Sequence, residues 1–296
     1  MNNPSQTLIN RLSALPSLKT VIDAFGLDAR KSLGQHFLLD TRITDKIARY
    51  AGDLRDFNVI EIGPGPGGLT RSLLTAGCRH LVVVEKDDRC LAALAQIKEI
   101  AGDRMEILHG DAMEFDPVAS VPAPRKIIAN LPYNVGTPLL VQWLGLVSTH
   151  GHSAFDSLTL MFQKEVAERI VAEPGTKDFG RLAVLCQWLC ECRYDFELPP
   201  GAFSPPPKVS SAVVTLSPRK EKLVNVSQDA LEAVVAKAFG QRRKMLRSAL
   251  KGLAVPADKL LEAAGIDGSQ RAEQLDVITL CRLAQTYQQL LANQRP

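Results

Sequence analysis

Phe57-Asn58-Val59-Ile60-Glu61-Ile62-Gly63-Pro64-Gly65-Pro66-Gly67-Gly68 is the stretch that decides the fold. A short apolar run rich in β-branched residues stops at a glycine-dense turn, and residues 69–76 carry on as a helix. Glycines at such a turn let the main chain approach a ligand closely and take dihedrals that a Cβ forbids. The same alternation continues outward. Strands are expected at 80–84, 105–108, 126–129 and 158–162, with a helix over 88–100 after the first of these. Strands apolar on both faces and separated by helices imply a parallel sheet covered on both sides.

Two more strand candidates, 192–198 and 209–216, flank Phe203-Ser204-Pro205-Pro206-Pro207-Lys208. Seven strands with a late hairpin-like pair suit a Rossmann-like α/β sheet. After Pro218 the patterning is purely helical. The chain therefore divides into an N-terminal helical extension (1–30), a Rossmann-like domain (31–219) and a small α-helical C-terminal domain (220–296).

The composition, 46% hydrophobic and 23% charged, is that of a globular protein with a sizeable core. No apolar run approaches the ~20 residues of a membrane span, and no signal peptide opens the chain, so a cytoplasmic protein is expected. The six cysteines form no C-x-x-C pair. Only Cys186, Cys190 and Cys192 cluster, and buried reduced thiols are the expectation there, with no metal. Net charge is +3, but from Arg219 onward 13 Lys and Arg face 8 Asp and Glu. That basic excess in the last quarter points to a polyanionic partner.

Glu85 ends the second strand, 20 residues beyond Gly65, where a carboxylate would meet a ribose diol. Loop and acid together mark a nucleoside cofactor without choosing it. Gly63, Gly65 and Gly68 satisfy the G-x-G-x-x-G pattern of NAD enzymes, so a dehydrogenase stays open on the loop alone. Asp111, after the third strand, could accept from an adenine amine.

Asn130-Leu131-Pro132-Tyr133 narrows the choice. It follows the fourth strand, at the carboxyl edge where α/β sheets hold ligands. An adenine exocyclic amine is a poor nucleophile, because its lone pair is delocalised into the ring. The Asn130 side-chain oxygen and the Leu131 carbonyl can take its two N–H bonds and draw the nitrogen towards tetrahedral geometry. Pro132 stiffens the turn, and Tyr133 offers a face for base stacking. A dehydrogenase has no use for this tetrapeptide; an adenine N-methyltransferase has.

Several segments then carry a resemblance: Gly34-Gln35-His36-Phe37-Leu38, the glycine loop, Asn130-Leu131-Pro132-Tyr133-Asn134, Gln163-Lys164-Glu165-Val166, Gly180-Arg181-Leu182, Phe203 to Val209, and Phe239-Gly240-Gln241-Arg242-Arg243-Lys244. From about Lys31 to Ala284 the chain resembles the ribosomal RNA adenine dimethyltransferase family. The resemblance implies a seven-stranded Rossmann-like methyltransferase domain and S-adenosyl-L-methionine as cofactor. It implies cofactor contacts at His36, Leu38, Gly63, Gly65, Glu85, Asp111 and Asn130, with a catalytic Asn130-Leu131-Pro132-Tyr133. His36 stands where some relatives carry Asn. The implied substrate is a pair of adjacent adenosines in the 3′-terminal hairpin loop of 16S rRNA, dimethylated in 30S particles during small-subunit biogenesis, by a monomer. The loop at Ser204 to Pro207 is expected to wall the target-base pocket.

Between Gln241 and Lys251 lie five basic residues and no acid. On one helix, Arg243, Arg247 and Lys251 form a single stripe, with Phe239, Leu246, Leu250 and Leu253 on the packed side. Arg242, Arg243, Lys244, Arg247 and Lys251 are the candidate RNA-backbone contacts. Two other readings are a large-subunit rRNA adenine methylase of the antibiotic-resistance type and a non-catalytic ribosome assembly factor. The Phe-Gly-Gln-Arg-Arg-Lys run argues against the first, and an intact loop and acceptor motif against the second.

Overall fold

The computed structural model describes residues 4–27 and 35–294. Gly34 of the first motif, and the domain limit at residues 30 and 31, lie outside the described residues. The strands are β1 (Phe37–Leu38), β2 (Asn58–Ile62), β3 (His80–Glu85), β4 (Met105–His109), β5 (Arg125–Asn130), β6 (Ser157–Gln163), β7 (Cys190–Leu198), β8 (Phe203–Ser204) and β9 (Ser211–Pro218). Seven of them form one sheet in the order β4-β3-β2-β5-β6-β9-β7. The first five positions are parallel, and β9 runs antiparallel to β6 with Gln163 opposite Ser211. The expected strands exist, within two residues of their predicted ends.

Every residue of β2 is buried, as a strand covered on both faces requires. Val59, Leu73, Leu81, Val83, Leu94, Ile97 and Ile128 share one apolar cluster. Because β2, β3 and β5 are parallel, their carboxyl ends meet at one edge. The glycine loop, Glu85 and Asn130 therefore come together from three separate parts of the chain.

Contacts divide the chain into two compact units. The first comprises Met1–Gln142, Ser153–Ala167 and Arg193–Ser217. It includes the helices Pro4–Ser13 and Leu18–Phe25, the latter N-capped by Ser17. The second comprises Trp143–His152, Glu168–Cys192 and Pro218–Pro296. Within it the helices Arg181–Leu189, Gln228–Gly240 and Val277–Ala292 pack on one another. Leu231, Val234, Leu280 and Leu283 are fully buried there, and the buried Trp188 indole donates to the Val224 carbonyl at 2.9 Å. Beyond Pro218 the described residues contain helices and turns only.

The basic run is not one helix, and this corrects the sequence reading. The first helix ends at Gly240, and a one-turn helix spans Leu246–Ala249. The cause is long-range pairing. The Leu246 and Arg247 amides donate to the carbonyls of Gln270 and Gly268 at 2.8 and 3.1 Å, which pulls the chain out of helical register. Leu246 and Leu250 are still buried, but Arg243, Arg247 and Lys251 form no helical stripe.

Lys126 fixes one end of the helix Thr41–Tyr50. Its side chain is only 8% exposed. The ammonium donates to the carbonyls of Ala51 at 2.8 Å and Asp53 at 3.3 Å, and lies 4.2 Å from the Phe57 ring centroid. A cation at a helix C-terminus satisfies carbonyls that lack an intrahelical partner. Replacing Lys126 by Met should lower stability by about 1.5–3 kcal/mol, the worth of a charged hydrogen bond whose loss leaves the buried Ala51 acceptor behind. Urea denaturation checks this, and an unchanged midpoint would show the interaction to be dispensable.

Candidate active site

One open cleft in the first unit gathers the predicted residues. His36, Leu38, Gly63, Gly65, Glu85, Asp111, Asn130, Leu131, Pro132 and Tyr133 all line it. Gly65 has φ +55°, which suits glycine. A Cβ there would sit 2.9 Å from the Phe37 ring, and one on Gly68 would sit 2.9 Å from the Leu38 carbonyl oxygen. The segment 35–38 thus lies directly on the glycine loop as a strap, which side chains on the loop would lift away.

Glu85 is the electrostatic anchor. Its Oε2 accepts the Gly65 N–H at 2.9 Å, and Oε1 accepts those of Lys86 and Asp87, both at 2.8 Å. A carboxylate has about four lone-pair sites, so capacity remains for a ligand hydroxyl. Burial pushes its pKa up, and the three main-chain N–H groups oppose that rise. Asp87 continues the link to the strap: its carboxylate accepts from Gln35 at 3.0 Å and from Arg89 at 2.6 Å.

The strap also reaches the acceptor motif. The Asn130 side-chain Nδ2 donates to the His36 carbonyl at 3.1 Å. That bond assigns the amide's nitrogen to the strap and leaves Oδ1, which no donor among the described residues contacts. Tyr133 is oriented by its hydroxyl, 2.5 Å from the buried Ser211 Oγ, and its ring centroid lies 5.2 Å from that of His36. Ser204 to Pro207, expected as a pocket wall, do not line the cleft and meet it through His36, whose Nδ1 lies 2.8 Å from the Pro205 carbonyl oxygen.

Comparison with known proteins gives this arrangement a family. Residues 26–289 match the profile described as ribosomal RNA adenine dimethylase. The chain is 54% identical over 280 residues to the ribosomal RNA small subunit methyltransferase A of Jannaschia sp., covering 95% of this chain and 96% of that protein. Its namesake from Ruegeria pomeroyi is 55% identical over 276 residues, with 93% and 98% covered. The chain belongs to the ribosomal RNA adenine dimethylase family. Among solved structures, a dimethyladenosine transferase from Plasmodium falciparum superposes with a TM-score of 0.72 at 26% identity, covering 86% of this chain and 98% of that one. The 23S rRNA methyltransferase ErmE superposes at 0.61, also at 26% identity, covering 85% and 99%.

The protein is accordingly an S-adenosylmethionine-dependent methyltransferase, and the cleft fits that cofactor. Carboxylates stand at the ends of two neighbouring strands, and Leu38, Ile62, Val84 and Leu131 supply apolar walls. The dimethylase has two features in the cleft that the sequence did not single out. Lys86 donates to Asp111 Oδ2 at 2.6 Å and, by that hydrogen bond, holds the Asp111 carboxyl below its usual range. Glu61, inside the glycine-loop segment, lines the cleft but is 1% exposed. Burial raises its pKa to about 8, and the Thr70 hydroxyl, donating at 2.7 Å, acts against the rise. Burial cannot be read from a local motif; hydrophobic neighbours on a fully covered strand are the only hint.

The second unit of the methyltransferase holds the basic candidates. Arg243, Lys244, Arg247 and Lys251 are exposed, and their side chains make no hydrogen bond or ion pair among the described residues. Arg242 differs: it pairs with Glu273 at 2.8 Å and donates to the carbonyls of Thr176 and Phe179. Its Nε and Nη2 donors are used inside the unit. All six cysteines are free, and all but Cys192 are buried. Among the described residues no helix is long and apolar enough to cross a membrane.

Glu61 makes stability depend on pH. The folded chain keeps this proton up to about 8, whereas an ordinary glutamate releases it near 4.5. The contribution is fully present below the lower value and is lost as pH rises through the higher one. Glu61→Gln stays neutral and keeps an acceptor for Thr70. Its melting temperature relative to wild type should therefore rise between ~pH 5 and ~pH 9. A difference that stays constant across that range would contradict a buried proton at Glu61.

Proposed function

We propose that this methyltransferase converts two adjacent adenosines in the 3′-terminal hairpin loop of 16S rRNA to N6,N6-dimethyladenosine. In this reading it acts on 30S particles during small-subunit biogenesis, as a cytoplasmic monomer. Identity above 50% along nearly the whole of both chains with small-subunit methyltransferases supports the substrate class. The observation that carries the chemistry is the Asn130 amide, whose nitrogen is fixed by the His36 carbonyl and whose Oδ1 has no other donor among the described residues.

With the cofactor bound, Glu85 would accept from a ribose hydroxyl, and Asp111 would accept from the adenine amine, displacing or sharing the Lys86 ammonium. His36, Leu38, Gly63 and Gly65 shape the remaining wall. The bound cofactor supplies a methyl group already activated on a sulfonium. Asn130 Oδ1 and the Leu131 carbonyl accept from the target amine and localise its lone pair for in-line attack. Pro132 keeps the turn rigid, and Tyr133, held by Ser211, stacks against a base withdrawn from its helix. The methylated nitrogen is acidic enough to lose its proton to water, so no strong base is required. A second transfer must readmit a monomethylated amine with one N–H left, and either acceptor can take it.

Residues beyond 219 form the RNA-binding part, with Arg243, Lys244, Arg247 and Lys251 as phosphate contacts and Arg242 holding the local fold. The resemblance to ErmE favours a second reading, action on large-subunit RNA. It is the weaker one, since 26% identity is far below that to the small-subunit enzymes.

Labelled cofactor supplied with unmodified small subunits should yield dimethyladenosine as the end product, and large-subunit RNA should yield little. Product stalled at monomethyladenosine, or preferential labelling of large-subunit RNA, would overturn the assignment. Changing Arg243, Lys244 and Lys251 together to Gln should weaken RNA binding and flatten its log–log salt dependence. The slope should drop by roughly 0.7–0.9 for each phosphate that is no longer neutralised. An unaltered slope would leave these residues as ordinary solvated charges.

A further inference from the structure

The strap is held on both sides. Towards the glycine loop, the Leu38 carbonyl approaches Gly68 so closely that a Cβ would meet it at 2.9 Å. Away from the loop, Phe37 and Leu38 of β1 pair antiparallel with Ser204 and Phe203 of β8. His36 adds a third link, through the approach of Nδ1 to the Pro205 carbonyl at 2.8 Å. A carbonyl oxygen only accepts, so Nδ1 carries the proton.

Residues 205–210 then run from this clasp to Ser211, whose hydroxyl meets Tyr133. The loop is pinned at both ends, by His36 at one and by the acceptor tyrosine at the other. Tyr133 and His36 are ring neighbours, and the His36 carbonyl also holds Asn130. One residue therefore touches the acceptor amide through its main chain, the acceptor aromatic through its ring face, and the proline-rich loop through its ring nitrogen. The strap thus borders the cleft on one side and carries the proline-rich loop on the other.

We propose that His36 is a positioning residue that couples the two halves of the site, so that cofactor occupancy raises affinity for the acceptor RNA through the His36–Pro205 hydrogen bond. The proposal rests on the functional reading above. Coupling of this kind is reciprocal, and factors of about 5–150 are typical.

The test compares RNA affinity with and without saturating S-adenosylhomocysteine, using the RNA that the wild-type enzyme methylates. Wild type should bind RNA about tenfold more tightly with the nucleoside present. In His36→Ala that ratio should fall to ~2 or below, and at saturating cofactor KM for RNA should rise more than kcat falls. His36→Gln, whose amide can still donate to the Pro205 carbonyl, should recover part of the ratio. A merely structural role would weaken both measurements alike and leave the ratio intact. A wild-type ratio of one, or a full ratio retained in His36→Ala, would overturn the proposal. Failure to methylate small-subunit RNA would count against the function reading, while the ratio on the RNA that is methylated still decides the coupling.

Discussion

The hydrogen bond from the Asn130 side chain to the His36 carbonyl joins the parts on which the site depends. Asn130 ends a central strand, whereas His36 belongs to a strap that is close to it only in the fold. A primary amide has one donor end and one acceptor end. Committing the nitrogen to the strap decides which end is left for a substrate. The strap is in turn held on the glycine loop by packing at Gly65 and Gly68, where any larger residue would intrude. Close main-chain approach, parallel strand ends and the direction of one amide are thus parts of a single constraint.

Three carboxyl groups in the cleft are tuned apart by their surroundings. Glu61 is buried beside one hydroxyl donor and keeps its proton to about 8. Glu85, nearly as buried, receives three main-chain N–H groups that stabilise its charged form. Asp111 sits near solvent beside the Lys86 ammonium and is readily ionised. Placing a neutral acid behind the glycine loop avoids a second buried charge next to Glu85, where repulsion would oppose both.

Much of this was legible in the sequence because it is local. Buried strands, a glycine turn, an acid at a strand end and an Asn-Leu-Pro-Tyr turn each announce themselves within a few residues. The features that escaped are those made between distant segments. The two-residue strands β1 and β8 are too short for any periodicity, yet they bind the strap to the proline-rich loop. The basic run looked like a helix because its local pattern is helical, and carbonyls at Gly268 and Gln270 claimed the Arg247 and Leu246 amides instead. Arg242 was grouped with its basic neighbours, although Glu273 and two carbonyls use its donors. Charge pattern alone does not separate a structural arginine from a solvated one.

Single-turnover methyl transfer by Asn130→Ala, measured beside its affinity for the cofactor, tests the central claim most directly. If Oδ1 draws the target amine into position, the transfer rate at saturating cofactor and RNA should fall by ~10²–10³-fold, the usual cost of losing one positioned hydrogen-bonding group. The variant should still bind the cofactor through Glu85 and Asp111. A transfer rate within a few-fold of wild type would contradict the account.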